Sequence, residues 1–378
     1  MIQRLQQGIL IKRLTESPNK IILVYGPRQS GKTTLAREVL AEVPGKKLEI
    51  NADDIDYAEV LSSRSLRKMS QLVDGIDVLF IDEAQRIPDI GINLKILHDS
   101  LPQLRIIATG SSSFDLANKT QEPLTGRTWS YHLFPIALCE LAPATNRFAL
   151  DQQVDDFMIY GMYPELFSLQ HPEDKIEYLR GLTQSYLYKD VLEIGSIKYA
   201  RKLQDLVKLL ALQIGSEVSL SELANNLQIS KETVANYIDT LEKAFVVFRL
   251  SGFSRNLRKE ITRHDKIFFY DLGVRNAVIE NFNPLHLRRD SGGLWENFLI
   301  LERIKTQTYS RQNANRYFWR TYTGAELDYV EESKGQVQGF EFKLSNKAPQ
   351  APQSWVDNYP EASYQVVNRE NYLDFLLD

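Results

Sequence analysis

The stretch from Ile21 to Thr34, IILVYGPRQSGKTT, decides the fold of the first part of this chain. Five residues that favour strands, Ile21 to Tyr25, lead into the pattern G-x-x-x-x-G-K-[ST], which is typical of a phosphate-binding loop between a strand and a helix. Glycines let the backbone curl around an anion, and the helix that begins near Lys32 points its positive end at it. Lys32 is predicted to reach the outer phosphates, and Thr33 to bind Mg²⁺. The predicted nucleotide contacts are Gly26, Pro27, Arg28, Gln29, Ser30, Gly31, Lys32, Thr33 and Thr34.

A second stretch, DVLFIDEAQ, places two acids at the end of an apolar run from Val78 to Ile81. Such a run predicts a buried parallel strand, and its carboxyl end is the edge at which ligands of open α/β sheets bind. Asp82 is predicted to hold the Mg²⁺ together with Thr33, and Glu83 to orient and deprotonate the attacking water. Adjacent acids at a strand end are often only solvated, but the preceding phosphate-binding pattern favours the catalytic interpretation.

Two further polar segments lie at and after the end of the third apolar strand, in LRIIATGSSSF and LTGR. Thr109 and Ser111 to Ser113 end this strand, and Ser111 is predicted to contact the γ-phosphate or the attacking water; ordinary loop serines are the alternative. Arg127, in the turn after it, could reach a nucleotide held by a neighbouring subunit. A surface arginine paired with a nearby acid explains the same residue equally well.

The bulk properties limit the class of protein. At 378 residues the chain is long enough for two or three domains, because a domain holds about 150 residues. Its composition, 43% hydrophobic and 25% charged, is that of a folded globular protein, and its net charge of −4 provides no bulk attraction to nucleic acid. The single cysteine, Cys139, excludes an internal disulfide and a multi-cysteine zinc site. No signal peptide and no run of roughly 20 apolar residues is evident, so we expect a cytoplasmic protein without a membrane partner.

The segment VSLSELANNLQISKETVANYIDTLEKAFVVFRL predicts a winged helix-turn-helix. Ser219 and Glu222 form a capping box, Ser230 caps a second helix, and Phe245 to Leu250 alternate like a strand. Acidic residues offset the basic residues of the second helix, so that contact with DNA would depend on the wing. The alternative to DNA binding is a winged helix that docks a protein. The polar positions of the second helix are Lys231, Thr233, Asn236 and Tyr237. The basic wing predicted to contact phosphates comprises Arg255, Arg258, Lys259, Arg263 and Lys266.

The sequence AELDYVEESKGQVQGFEFKLS carries a second group of acids. Glu341 and Lys343 are two apart on one predicted strand and share a face, and Asp328 on the preceding strand can lie beside them. With Glu296 from the preceding helix, they resemble the Asp…Glu-x-Lys (PD-(D/E)xK) arrangement of the restriction-endonuclease-like fold. Such a site would hold one or two Mg²⁺ or Mn²⁺ ions for phosphodiester cleavage. Ion pairs on the wet face of a hairpin are the alternative.

Six short motifs occur in the order seen in one family: YGPRQSGKTTL, FIDEAQRIP, ATGSSSF, LTGR, LFPIALCEL and YGMYPE. Over nearly its whole length the chain resembles this family of bacterial and archaeal AAA+ type ATPases, whose C-terminal domain has no assigned function. The resemblance implies ATP binding at Gly26 to Thr33, Mg²⁺ at Asp82 and hydrolysis through Glu83. It implies no settled biological task.

Four segments are therefore predicted. They are an α/β P-loop (AAA+ like) ATPase domain with a parallel sheet at 1–165, a helical linker or lid at 166–205, the winged helix at 206–280 and an α+β restriction-endonuclease-like domain at 281–378. We expect Mg²⁺-dependent ATP hydrolysis coupled to a nucleic-acid role, with DNA and a homo-oligomeric neighbour as partners. An ATP-dependent switch that binds a protein or DNA without cutting is the alternative. A chaperone-like remodeller is disfavoured, because no aromatic pore loop is evident.

Overall fold

The computed structural model describes residues 2–16, 20–111, 124–185, 191, 199–254 and 264–377. Its contacts divide the chain into two compact units. The first comprises Met1–Pro135 with Lys243–Phe245, and the second comprises Ile136–Glu242 with Val246–Asp378. The predicted boundary after residue 165 therefore differs from the division after Pro135.

The first unit is built on a five-stranded sheet in the order β2-β3-β4-β1-β5, and all neighbouring strands are parallel. Parallel strands need crossover connections, and helices supply several of them here. The helices are α1 Gln6–Thr15, α2 Lys32–Glu42, α3 Ile55–Ser62, α4 Leu66–Leu72 and α5 Ile90–Ser100. The strands are β1 Ile21–Tyr25, β2 Lys47–Asn51, β3 Val78–Asp82, β4 Arg105–Gly110 and β5 Thr128–His132.

The central strands of this sheet are buried on both faces, which is why they read as continuous apolar runs. In β3, Leu79 and Ile81 pack into one apolar cluster, and Val78 and Phe80 pack into another. Parallel sheets covered on both sides produce this pattern. The carboxyl ends of β1, β3 and β4 consequently meet at one edge of the sheet, where the phosphate-binding loop begins.

The second unit contains a seven-stranded sheet in the order β12-β11-β10-β9-β7-β8-β6. Its helices are α6 Leu138–Leu141, α7 Arg147–Tyr160, α8 Pro172–Leu182, α9 Ala200–Leu212, α10 Leu220–Leu227, α11 Lys231–Lys243, α12 Leu272–Val278, α13 Ser291–Tyr309, α14 Gln353–Asn358 and α15 Tyr372–Leu377. Its strands are β6 Glu217–Val218, β7 Val247–Gly252, β8 Asp265–Phe269, β9 Asn315–Arg320, β10 Glu326–Ser333, β11 Gln336–Phe342 and β12 Ser363–Val367.

One parallel contact joins segments that the sequence assigned to separate domains. Ser251 of β7 pairs with Tyr317 of β9, and Gly252 pairs with Phe318. The sheet therefore runs without a break through the predicted boundary after residue 280. The two predicted segments on either side of that boundary belong to one packing unit.

The helices α10 and α11 begin at the predicted capping residues. The Ser219 hydroxyl accepts a hydrogen bond from the backbone of Glu222 at 3.4 Å, and that of Ser230 accepts one from Thr233 at 3.1 Å. One prediction for α11 is wrong, because Tyr237 is buried and does not lie on the polar face. Its position one turn from Val234 and Leu241 places it on the apolar stripe of the helix.

A buried carboxylate caps helix α12. Asp271 accepts hydrogen bonds from the backbone N–H of Val274 at 3.0 Å and of Met162 at 2.7 Å. Burial raises the pKa of Asp271 to about 6, although these hydrogen bonds act in the opposite direction. A side chain at Gly161 would collide with this carboxylate, since an added Cβ would lie 2.1 Å from Oδ1. The position thus depends on glycine.

Across the described ranges, no helix has both the length and the apolar character that crossing a bilayer requires.

Candidate nucleotide-binding site

The phosphate-binding loop is fixed by close packing against the backbone that follows β5. An added Cβ at Gly26 would lie 2.0 Å from the carbonyl oxygen of Leu133, so that only glycine fits there. Gln29 and Gly31 have positive φ angles of 59° and 93°, and Gly31 stands at the N-cap of α2. These two positions turn the chain sharply into the helix. The strand, loop and helix follow the predicted order.

Lys32 is buried at the start of α2, with 4% of its surface exposed. Its ammonium donates hydrogen bonds to the carbonyl oxygens of Gly26 at 3.1 Å and Pro27 at 2.8 Å. Burial lowers the pKa of Lys32 to about 8, against the opposing attraction of Glu83 and Asp82. The loop therefore holds a desolvated cation, which attracts an anionic phosphate more strongly than a fully hydrated lysine would.

Thr33 and Asp82 meet at the edge of the sheet. The hydroxyl of Thr33 donates to Oδ2 of Asp82 at 2.8 Å, and the hydroxyl of Thr109 donates to Oδ1. A hydroxyl and a carboxylate oxygen are hard ligands of the kind that Mg²⁺ prefers, and Mg²⁺ in nucleotide sites takes its other ligands from phosphates and water. These residues thus fit the metal that the sequence predicts.

Glu83 follows in a left-handed backbone conformation, with φ of 53°. Its carboxylate accepts a hydrogen bond from the side-chain amide of Gln85 at 2.5 Å, and the same amide lies 3.0 Å from the hydroxyl of Ser111. The structure therefore links the predicted base to the predicted γ-phosphate contact through Gln85. Sequence analysis did not select Gln85, although it lies in the quoted stretch DEAQ. Ser112 and Ser113 lie outside the described residues.

Arg127 forms a two-pronged ion pair with Asp99. Its Nε lies 2.8 Å from Oδ1 and its Nη2 lies 3.0 Å from Oδ2. Hydrogen bonds from Arg127 and then His98 lower the pKa of Asp99 to about 2. This geometry matches the alternative of a surface arginine paired with an acid.

The predicted C-terminal residues lie in one charged cluster of the second unit. In the antiparallel pairing of β10 with β11, Tyr329 lies opposite Phe340. At the next position along the two strands, Asp328 therefore lies opposite Glu341. Asp328 accepts a hydrogen bond from the backbone N–H of Phe342 at 2.7 Å, and Glu341 accepts one from the ammonium of Lys343. Burial raises the pKa of both carboxyl groups. The pairing of β10 with β9 shifts register between Leu327 and Val330, in the stretch that contains Asp328.

Two members of this cluster were not predicted. Lys266 lies 2.9 Å from Oε1 of Glu296 and 2.6 Å from Oε1 of Glu326. The assignment of Lys266 to a phosphate-contacting wing is wrong, because only 2% of its surface is exposed. The other predicted wing residues, Arg255, Arg258, Lys259 and Arg263, lie outside the described residues.

The structure does not show the predicted second metal site. Within the part of the chain that the structure describes, no group of three or more His, Cys, Asp or Glu side chains could hold a metal ion. The four predicted residues, Glu296, Asp328, Glu341 and Lys343, share one cluster but do not present a set of free carboxylates.

The sheet and the loop define a P-loop fold of the AAA type, and comparison with known families agrees. A family described as an AAA domain matches residues 18–142. Two domains of unknown function, DUF8612 and DUF4143, match residues 151–285 and 291–375.

Full-length relatives identify the family. Uncharacterised proteins of Mycobacterium tuberculosis and Mycobacterium bovis are each 31% identical over 350 residues, which cover 92% of this chain and 75% of the relative. An uncharacterised protein of Methanocaldococcus jannaschii is 25% identical over 352 residues, or 87% of this chain and 77% of the relative. The chain belongs to this family of uncharacterised bacterial and archaeal proteins, and within it carries a P-loop domain of the AAA type and a C-terminal DUF4143 domain.

A solved structure shares the fold. The Walker-type ATPase of Pyrococcus abyssi is 16% identical, with a TM-score of 0.51 over 74% of this chain and 96% of that chain. This likeness confirms the predicted α/β fold with a parallel sheet.

Proposed function

We propose that the chain binds ATP and hydrolyses it with Mg²⁺ at the edge of the five-stranded sheet. The observation that carries this proposal is the 2.8 Å bond between Thr33 and Asp82, with Glu83 next in the chain. It brings Thr33, which is distant in sequence, beside Asp82 and Glu83, and this supports their proposed roles as the metal ligands and the base of a nucleotide hydrolase.

Each residue has a distinct task in this proposal. Thr33 and Asp82 would hold Mg²⁺, which would neutralise charge on the phosphates. Lys32 exchanges its bonds to loop carbonyls for bonds to phosphate oxygens. Glu83 accepts a proton from the attacking water, and Gln85 holds the carboxylate toward Ser111, which binds the γ-phosphate. Gly26, Pro27, Arg28, Gln29, Ser30, Gly31 and Thr34 complete the cradle for the phosphates.

Binding of a fluorescent ATP analogue and release of phosphate test this proposal together. Lys32→Ala is expected to abolish both signals, because the cation that faces the phosphates is removed. Lys47→Ala, which removes an exposed lysine of β2, is the matched control and should change neither. Normal phosphate release by the Lys32→Ala protein would contradict the assignment of this site.

We also propose that α9, β6, α10, α11, β7 and β8 form a winged helix that binds a partner. The elements follow the order α9, β6, α10, α11, β7, β8, and β8 pairs antiparallel with both β6 and β7. Lys231 and Asn236 lie exposed on α11, as contact residues of such a helix would. Fluorescence anisotropy of a labelled duplex, measured with and without ATP, tests DNA as the partner. Unchanged anisotropy in a Lys231→Ala, Asn236→Ala double variant would contradict contact through this helix.

Between a cutting enzyme and a switch, the second unit favours the switch. Lys266 is already bound to Glu296 and Glu326. A phosphodiesterase site needs carboxylates that are available to a metal. We therefore propose that ATP binding controls the partner and that no strand is cut, with a neighbouring copy of the chain as a further partner.

A plasmid assay in Mg²⁺ or Mn²⁺ tests the absence of cutting. The wild type should nick no more than Lys343→Ala or Asp328→Ala. Cleavage by the wild type that both variants lose would establish the nuclease instead.

A further inference from the structure

Lys266 is a buried cation at the meeting point of three elements. It stands in β8, where it pairs with Glu217 of β6 on one side and Leu250 of β7 on the other. Its ammonium lies 5.4 Å from the centre of the Phe318 ring. A buried ammonium persists only where carboxylates compensate for its lost hydration, and Glu296 of α13 and Glu326 of β10 do so here.

One oxygen of Glu296 is already committed. Oε1 accepts from Lys266 at 2.9 Å. Oε2 lies against Gly215, where an added Cβ would come within 2.8 Å of it and where φ is +77°. A side chain at residue 215 would therefore collide with this carboxylate, and the position depends on glycine.

Glu326 is engaged in the same way. One oxygen lies 2.6 Å from Lys266, and the other lies 3.9 Å from Nε of Arg320. Nη1 of Arg320 in turn lies 2.8 Å from Oε1 of Glu217. The carboxylates nearest to Lys266 thus belong to a chain of ion pairs that begins at Glu296 of α13 and ends at Glu217 of β6.

The remaining two acids are partly committed as well. Asp328 accepts from the backbone of Phe342 through Oδ2, and Glu341 pairs with Lys343. Asp328 also attracts Lys266. Burial acts to lower the pKa of Lys266, but the attraction of Glu296, Glu326 and Asp328 outweighs it and raises the pKa above its ordinary value.

We propose that Lys266 is the resident counter-cation of this cluster, so that the Asp…Glu-x-Lys sheet of this chain takes a divalent cation only when Lys266 is replaced. A metal ion between Asp328 and Glu296 would face a fixed positive charge at short range, in surroundings that screen it poorly. The lysine also joins β8 to α13 and β10. Its role is to hold these three elements together. This role is independent of the proposed ATPase site and can be tested separately from it.

Mn²⁺ binding to the full chain without nucleotide, followed by electron paramagnetic resonance, tests this proposal. Lys266→Met should bind about one more Mn²⁺ per chain than the wild type, because the freed carboxylates prefer a hard cation. The additional Mn²⁺ should disappear in Lys266→Met/Asp328→Asn. Lys266→Arg retains the charge and should gain none. A Lys266→Met protein that is folded and gains no Mn²⁺ would overturn the proposal.

A second comparison decides the matter even if Lys266→Met fails to fold. The wild type and Asp328→Asn share the same nucleotide site, so any difference in their bound Mn²⁺ reports on the C-terminal cluster. Equal binding supports the proposal. Excess Mn²⁺ on the wild type would show that a metal already occupies the cluster beside Lys266, and would overturn it.

ATP hydrolysis by each variant serves as the control for the nucleotide site. Loss of ATP hydrolysis would bear on the proposed ATPase site alone, whereas the number of bound Mn²⁺ ions bears on the Lys266 cluster. The two proposals therefore fail in distinguishable ways.

Discussion

The hydroxyl of Thr33 donates a 2.8 Å hydrogen bond to the carboxylate of Asp82, which lies 49 residues further along the chain. The bond connects the start of α2 to the end of β3. Because Thr109 holds the other oxygen of the same carboxylate, the ends of β3 and β4 and the start of α2 meet around Asp82. Glu83 follows directly, so its position depends on this convergence.

Glu83→Gln is expected to bind ATP with unchanged affinity and to hydrolyse it ~10²–10⁴-fold more slowly, which is the range for loss of a general base. The amide cannot accept the proton of water, but it retains the size of the side chain. Phosphate release and calorimetric ATP binding measure the two effects. Glu49→Gln, an exposed acid of β2 that pairs with Arg37, is the control and should behave like the wild type. Normal turnover in Glu83→Gln would place the base elsewhere.

Gly26→Ala should abolish ATP binding, because its Cβ would lie 2.0 Å from the carbonyl oxygen of Leu133 and force the loop away. The backbone cannot yield cheaply, and we expect a loss of unfolding free energy of about 1–3 kcal/mol, as for other overpacked sites. Gly8→Ala in α1 is the matched control, since an added Cβ there meets nothing within 4 Å. That variant should gain about 0.5–1 kcal/mol. Equal melting temperatures of the two variants would contradict this account.

Arg127→Ala and Asp99→Ala should both leave ATP turnover unchanged at protein concentrations where the chain is a monomer. Each removes one side of a largely exposed ion pair, and such pairs contribute little to stability. Steady-state phosphate release over a range of protein concentrations measures this. A loss confined to Arg127→Ala, and growing with concentration, would instead establish that the arginine acts on a neighbour's nucleotide.

The buried carboxyl of Asp271 should make stability fall as pH rises. Its pKa is about 6 in the folded protein and 3.8 in the unfolded reference, so between these values the folded state binds more protons. The corresponding stabilisation is complete below pH 3.8 and is lost as pH rises through 6, with a total of about 3 kcal/mol.

Asp271→Asn should remove this fall, which urea denaturation between pH 4 and pH 7 would measure. The difference in unfolding free energy between variant and wild type should thus shift in favour of the variant as pH rises. Asp357→Asn, an exposed carboxylate in the same unit, is the control and should show no such shift. If the unfolding free energies of Asp271→Asn and the wild type changed with pH in parallel, the raised pKa of the Asp271 carboxyl would be refuted.

The nucleotide site was predictable because most of it is contiguous in sequence. Strand Ile21–Tyr25, the loop and a helix starting at Lys32 were predicted as they are found. The link through Gln85 was not, since its partners Glu83 and Ser111 stand on different strands and only the fold brings them together.

The errors lie where a charged or polar side chain is buried. Lys266 was assigned to a basic wing from its neighbours in sequence, and nothing local shows that Glu296 and Glu326 enclose it. Tyr237 could have been found, because its spacing from Val234 and Leu241 follows the apolar period of the helix. Ion pairs between distant elements leave no such local signal.

The two parallel contacts between β7 and β9 also determine where this polypeptide can be shortened for expression. A fragment ending at residue 280 would lack the partner of Ser251 and Gly252 and would present an open strand edge to other copies of itself. It would also lack Glu296 and Glu326, which leaves the Lys266 ammonium without either acid. Such a fragment should precipitate, and an expression boundary drawn between the two matched domains of unknown function would cut through a single sheet.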